Sequence, residues 1–186
     1  MIGAADVAAA GRVTLETHLP LLLAAGVNGR PALPNPTSYN EVPSEDAIRR
    51  VKGSVLAVIV PGLRSTPERR GDGTYDAEFI LSVAVWHEQT TAMPLLTAAA
   101  DYNACVRAAL LSHRTLGDLA VDTTWLSESV DLIGDGLTSL SLGLGITEFS
   151  VRIPNVADEV PLTGIGSDGP QVITSEVEVI PDLPFD

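Results

Sequence analysis

Two apolar periodicities alternate along the chain, one near 3.6 residues and one of 2, and they predict its elements. From Ala4 to Ala25, Val7, Ala10, Val13 or Thr14, Thr17 or His18, and Leu21 or Leu22 recur at helical intervals, predicting a helix that kinks or ends near Pro20. Gly29 to Pro43 holds Pro31, Pro34, Pro36 and Pro43 among Asn, Ser and Gly, the composition of an extended surface connector. Ser54 to Val60 is a β-branched run closed by Pro61-Gly62, which predicts a buried strand ended by a turn. From Asp76 to Glu88, Phe79, Leu81, Val83 and Val85 share one face, and Glu78, Ile80, Ser82, Ala84 and Trp86 the other, predicting a half-buried strand. Between these strands, Leu63 to Tyr75 carries Arg64, Arg69, Arg70 and the turn signal Gly71-Asp72-Gly73, a long polar hairpin loop.

The second half repeats the scheme. Ala92 to His113 places Leu95, Ala98 or Ala99, Tyr102, Cys105 or Val106, and Ala109 or Leu110 on one helical stripe. Thr90 or Thr91 is expected to cap it, Pro94 to fit its first turn, His113 and Arg114 to complement its C-terminal dipole, and Gly117 to stop it. Strands are predicted at about Val121 to Ile133 and Ser139 to Ile153, joined by Gly134-Asp135-Gly136. In the last strand Leu140, Leu142, Leu144 and Ile146 alternate on one parity and Phe149, Val151 and Ile153 on the other, which predicts a β-bulge near Thr147 or Glu148. Pro154 to Asp186 reads as an acidic, proline-bearing arm whose stretch Val172 to Ile180 could pair as a strand if an edge were offered. The expected fold is therefore α+β: residues 1–153 form an antiparallel four-stranded sheet with helices packed on one side, and 154–186 an extended C-terminal arm.

With 45% apolar but only 4% aromatic residues, the core should be aliphatic. Cys105 is the only cysteine, so neither an intrachain disulfide nor a thiolate metal cluster can form, which fits a reduced, cytosolic origin. No basic leader precedes an apolar run, and the longest early one, Leu19 to Val27, contains Pro20, so no targeting or membrane segment is expected. The net charge of −13 is uneven: residues 1–114 hold ten basic and eleven acidic side chains, whereas 115–186 set Arg152 against thirteen acids. A tight grip on duplex DNA needs the opposite, a basic stripe that displaces counterions. Ten arginines against the single Lys52 suggest a GC-rich coding genome.

Catalytic chemistry finds little footing. No G-x-S-x-G is present, and His18, His87 and His113 are scattered, each with an ordinary structural explanation at a helix flank, a strand end and a helix C-terminus. Gly143-Leu144-Gly145 lies inside an alternating strand, where a bend or close backbone approach explains it better than a phosphate loop does. Asp72, Asp76 and Glu78, or Asp131 and Asp135, lack the spacing of a calcium loop. No catalytic, cofactor or metal residue is therefore nominated. Six of the eleven basic residues lie between 49 and 70 (Arg49, Arg50, Lys52, Arg64, Arg69 and Arg70), either a solvated loop or an interface, since Arg is enriched at interfaces. Arg64, Arg69 and Arg70 are the candidate interface residues.

IVPGL (Ile59 to Leu63), ERRGDGTYDAEF (Glu68 to Phe79), LSVAVWHE (Leu81 to Glu88) and ADYNACVRAALLSHRTLGDLA (Ala100 to Ala120) resemble the tail terminator, or tail completion, proteins of siphophages, over Val58 to Val156. The resemblance implies a structural, non-enzymatic virion protein without cofactor, located in the tail-neck region and in the host cytoplasm during assembly. Its subunits would assemble, usually as a hexameric ring, on the tail tube protein, end tube polymerisation and form the surface that joins a head-completion or neck protein. DNA would pass through without specific binding, and an acidic lumen would repel its phosphates. The alternative is a head-completion or stopper neck protein. An enzyme or a monomeric acidic binding module are the readings from other classes.

Overall fold

A computed structural model describes residues 2–41, 53–88, 94–134 and 141–158. The elements are α1 (Ala4–Ala25), β1 (Ser38–Asn40), β2 (Ser54–Leu63), β3 (Glu68–Arg69), β4 (Thr74–Glu88), α2 (Leu95–Ser112), β5 (Asp122–Gly134) and β6 (Ser141–Asp158). The α+β class holds, but the sheet has six strands and is mixed, in the order β1-β2-β4-β6-β5 with β3 on β4, rather than four antiparallel ones. β1 runs parallel to β2 inside what reads as a proline-rich connector, and β3 folds the arginine loop back onto β4. Segments of two or three residues carry no period, so periodicity is silent about both.

Both described helices lie on one face of the sheet. α1 packs on β2 and β4, with Gly11 directly against Val58 and Leu81, while α2 packs on β6 and β5. Between helices and sheet sits the main core: Leu15, Leu19 and Leu23 of α1, Leu56 and Val58 of β2, Leu81, Val83 and Val85 of β4, Tyr102, Val106 and Leu110 of α2, and Phe149, Val151 and Ile153 of β6. A second cluster on the opposite face joins Val55, Ala57, Ala84 and Trp86 with Ile59, Leu144 and Ile146. The mainly aliphatic core was expected from the composition, and the two faces of β4 divide as its alternation predicts.

Several boundaries differ from the sequence reading for physical reasons. α1 continues through Pro20 to Ala25, because Leu19 and Leu23 on either side of the proline are both anchored in the core. β2 does not turn at Pro61-Gly62: it runs on to Leu63 with a register shift between Ile59 and Gly62, the kind of irregularity that accommodates a proline. α2 starts from Pro94 and ends at His113, where the Thr90 and Thr91 caps and the Ala92 start lie outside the described residues. β6 runs to Asp158, five residues past the expected limit. The Asp135-Gly136 part of the β5–β6 turn and the stretch Val172 to Ile180 also lie outside the described residues.

The expected bulge at Thr147 or Glu148 is absent from β6, which pairs with β4 in one unbroken register from Leu142 to Ile153. The irregularity belongs to β5, where Leu126 is the extra residue opposite Phe149 and Glu148. The parity fault has a different origin. Gly143, Gly145 and Thr147 continue the same row as Phe149, Val151 and Ile153, and α2 lies on that row so closely that a Cβ at Gly143 would sit 2.9 Å from the Leu95 carbonyl oxygen and one at Gly145 2.4 Å from Asn103 Oδ1. Glycine is required by the approach of the helix, as the close-contact reading of Gly143-Leu144-Gly145 anticipates. Buried Asn103 then pins α2 to the sheet, donating from Nδ2 to the carbonyls of Ser129 (2.8 Å) and Ile146 (3.3 Å).

Candidate functional site

The candidate arginines sit where the β2–β3–β4 hairpin meets the end of β6. Arg64 follows β2; its backbone N–H donates to the Glu78 carbonyl at 2.7 Å and its guanidinium to Glu78 Oε1 at 2.8 Å. Arg70 follows β3 and reaches Asp76 Oδ2 at 2.6 Å, with Arg152 of β6 at 3.6 Å from the same oxygen. Asp76 also accepts the Asn155 backbone N–H at 3.3 Å, so one buried carboxylate ties the loop, β4 and β6 together. The Arg70 hydrogen bond, ahead of the other contacts, holds the Asp76 carboxyl below its ordinary range. Glu78 is lowered too, chiefly by the Ser150 hydroxyl that donates to it, then by Arg64.

A cleft of about 180 Å³ opens between these groups, lined by Ser65, Thr66, Glu68, Asp76, Ala77, Glu78 and Arg152. Two of its three carboxylates, Asp76 and Glu78, already face guanidinium partners, so the hairpin offers a more balanced polar surface than the cationic loop that the run of arginines suggests. The structure brings Arg64 and Arg70 to one site through Glu78 and Asp76; Arg69 stands between them on β3, opposite Tyr75. Arg49, Arg50 and Lys52 lie outside the described residues.

A second polar group is buried at the other end of the sheet. Ser54 opens β2, His87 pairs with it near the end of β4, and Tyr102 comes down from α2. The Ser54 hydroxyl is 2.9 Å from His87 Nδ1 and 2.6 Å from the Tyr102 hydroxyl, which in turn lies 2.6 Å from the Pro34 carbonyl oxygen. A carbonyl carries no proton, so Tyr102 must donate to Pro34. Ser54 therefore donates to Tyr102, and His87 donates from Nδ1 to Ser54. This is the reverse of nucleophile activation, in which serine gives its proton to histidine. All three side chains are buried, and among the described residues His87 Nε2 has no hydrogen-bond partner; burial pushes the imidazole pKa down and that of Tyr102 up to about 12.

Sequence reading treats His87 as a strand-end residue and misses this network. The available signal was parity: His87 continues the row of Leu81, Val83 and Val85, all of which face the helices. His18 and His113 are brought together unexpectedly, stacked with ring centroids 3.5 Å apart where the two helices meet. Among the described residues no group of three or more His, Cys, Asp or Glu side chains is placed to hold a metal ion, and no helix is long and apolar enough to cross a membrane.

The remaining feature of note is β5. Trp125, Val130, Leu132 and Ile133 are all exposed on this outermost strand, and Leu96 is exposed at the start of α2. Arg107 of α2 braces it, stacking over Trp125 at 4.8 Å and pairing with Glu128. No family model matches this sequence, and no curated protein sequence matches it.

Proposed function

We propose that this chain is a structural subunit that caps a phage tail tube as a ring, ending tube growth and presenting the surface that the head joins. The reading rests on the sequence resemblance, and the observation that carries it furthest is where the resembling segments lie. IVPGL forms the irregular end of β2, ERRGDGTYDAEF the β3–β4 hairpin, LSVAVWHE the centre of the sheet, and the segment from Ala100 the helix that packs on it. They form one contiguous hairpin-and-helix unit rather than scattered likenesses.

Two further features favour a scaffold role over chemistry. The Ser54–His87 contact is sealed from solvent and oriented away from nucleophile activation, and in the arginine cleft Asp76 and Glu78 are each paired with an arginine. DNA is read as passing the ring without being bound, because the second half of the chain is strongly acidic. The second reading, a head-completion or stopper subunit, has the same ring habit but meets the portal side.

Light scattering on the purified chain, alone and mixed with tail-tube or with portal protein, separates these outcomes. A ring, or a discrete complex formed only with tube, is the expected result. A chain that binds portal but ignores tube would favour the stopper. A strict monomer indifferent to both would overturn the ring reading.

A further inference from the structure

The two edges of the sheet are protected very differently. β1 is three residues long and follows Pro34 and Pro36, and the stretch of β2 beyond it carries Pro61, so that edge is short and poor in free donors. β5 is thirteen residues long and contains no Pro, Lys or Arg; among the described residues, one bulge and three carboxylates (Asp122, Glu128 and Asp131) are its safeguards. On its α2 side Val130 is 41% and Leu132 50% exposed, beside the exposed Leu96. An edge this long with an apolar row is a template for an added strand.

Residues 172–180 read VITSEVEVI, with Ile173, Ser175, Val177 and Val179 on one parity and Val172, Thr174, Glu176, Glu178 and Ile180 on the other. We propose that this segment of a neighbouring copy adds antiparallel to β5, its apolar parity beside Val130 and Leu132. The choice of a neighbour rests on the ring reading above and on reach. Asp122 pairs with Arg152, and β6 continues six residues beyond to Asp158, so Asp158 lies past the start of β5, at the far end from Ile133. To enter antiparallel with Val177 beside Leu132 and Val179 beside Val130, its own Val172 would have to lie past the Gly134 end of β5, upwards of about 55 Å away along the strands at about 3.3 Å per residue. The fourteen steps from Asp158 to Val172 span at most about 50 Å and as a flexible coil average about 20 Å. A chain's own arm thus reaches its β5 only in the parallel sense, the less stable ladder. A neighbour's arm has no such limit.

The pairing brings Glu176 and Glu178 to the side of the sheet that carries Asp131, so it should tighten as salt screens them. The test is to mix full chains carrying Leu132→Cys with full chains carrying Val177→Cys, oxidise, and read products on a non-reducing gel, with Leu21→Cys replacing Leu132→Cys as control. The native Cys105 is buried and common to all. The expected result is a disulfide-linked heterodimer for the Leu132 pair only, its yield rising with salt, together with assembly weakened at least tenfold by Val177→Asp. A double variant that closes within single chains in dilute solution would overturn the proposal, as would rings seen by light scattering that never cross-link; in the latter case the ring reading survives. A monomer without cross-links overturns both.

Discussion

At the residue scale, the tightest constraints are the glycines beneath α2. Gly145→Ala drives a methyl into Asn103 and the Ala99 carbonyl, and overpacking of this kind costs about 1–3 kcal/mol. Gly71→Ala, in the hairpin turn with nothing within 4 Å, should be close to neutral. Urea melts of the two variants against the parent check the contrast. His87 makes a second prediction. Its folded pKa is depressed by burial, so the unfolded chain binds a proton that the folded chain refuses, and stability must rise with pH through that window. Stability should be intact above about pH 6.5, the ordinary histidine value, and decline as pH falls below it. His87→Gln should flatten that part of the profile, measured as the urea midpoint between pH 5 and 8.

At the element scale, the β3–β4 hairpin depends on Asp76. Arg70→Glu removes its nearest cation and adds a like charge, so the amides from Thr74 to Ala77 should exchange faster with deuterium while those of Leu81 to Val85 keep their protection. Because Asp76 and Glu78 are both held below the ordinary carboxylate range, their contribution is complete above the unfolded values, about 3.9 and 4.3, and is lost as pH falls below them. If charge reversal at both Arg69 and Arg70 leaves assembly intact, these arginines are hairpin residues and not interface residues. Elements long enough to show a period were legible in the sequence: β4 from its alternation and α2 from its stripe. β1 and β3 were not, being too short to repeat anything. The β6 parity fault was visible but misattributed, because an inserted residue and a helix resting on bare backbone leave the same mark on a hydrophobic pattern. Nothing in a linear pattern shows that Pro34, Ser54, His87 and Tyr102 converge.

At the scale of the whole molecule, among the described residues the sheet has one short, proline-flanked edge and one long edge, and the two helices occupy one face. The internal pairing of the arginines moves attention from the hairpin, where composition points, to β5, where the exposed apolar side chains are. If β5 is an assembly edge, Val130→Lys should reduce the mass seen by light scattering at a given concentration while leaving the thermal midpoint within about 2 °C, since exposed positions away from packed features usually change stability by about 0.5 kcal/mol or less.

The unbroken register of β6 against β4 makes that strand behave like text in a fixed reading frame. Losing Thr147 or Glu148 while Phe149, Val151 and Ile153 stay in the core would slide Leu144 and Ile146 under α2, where there is no space for them, and turn the glycines outward. β5 carries its extra residue at Leu126, and losing that residue alone would leave its pairing continuous on both sides. Two neighbouring strands should therefore differ sharply in a deletion scan, with β6 intolerant at Thr147 and Glu148 and β5 forgiving at Leu126.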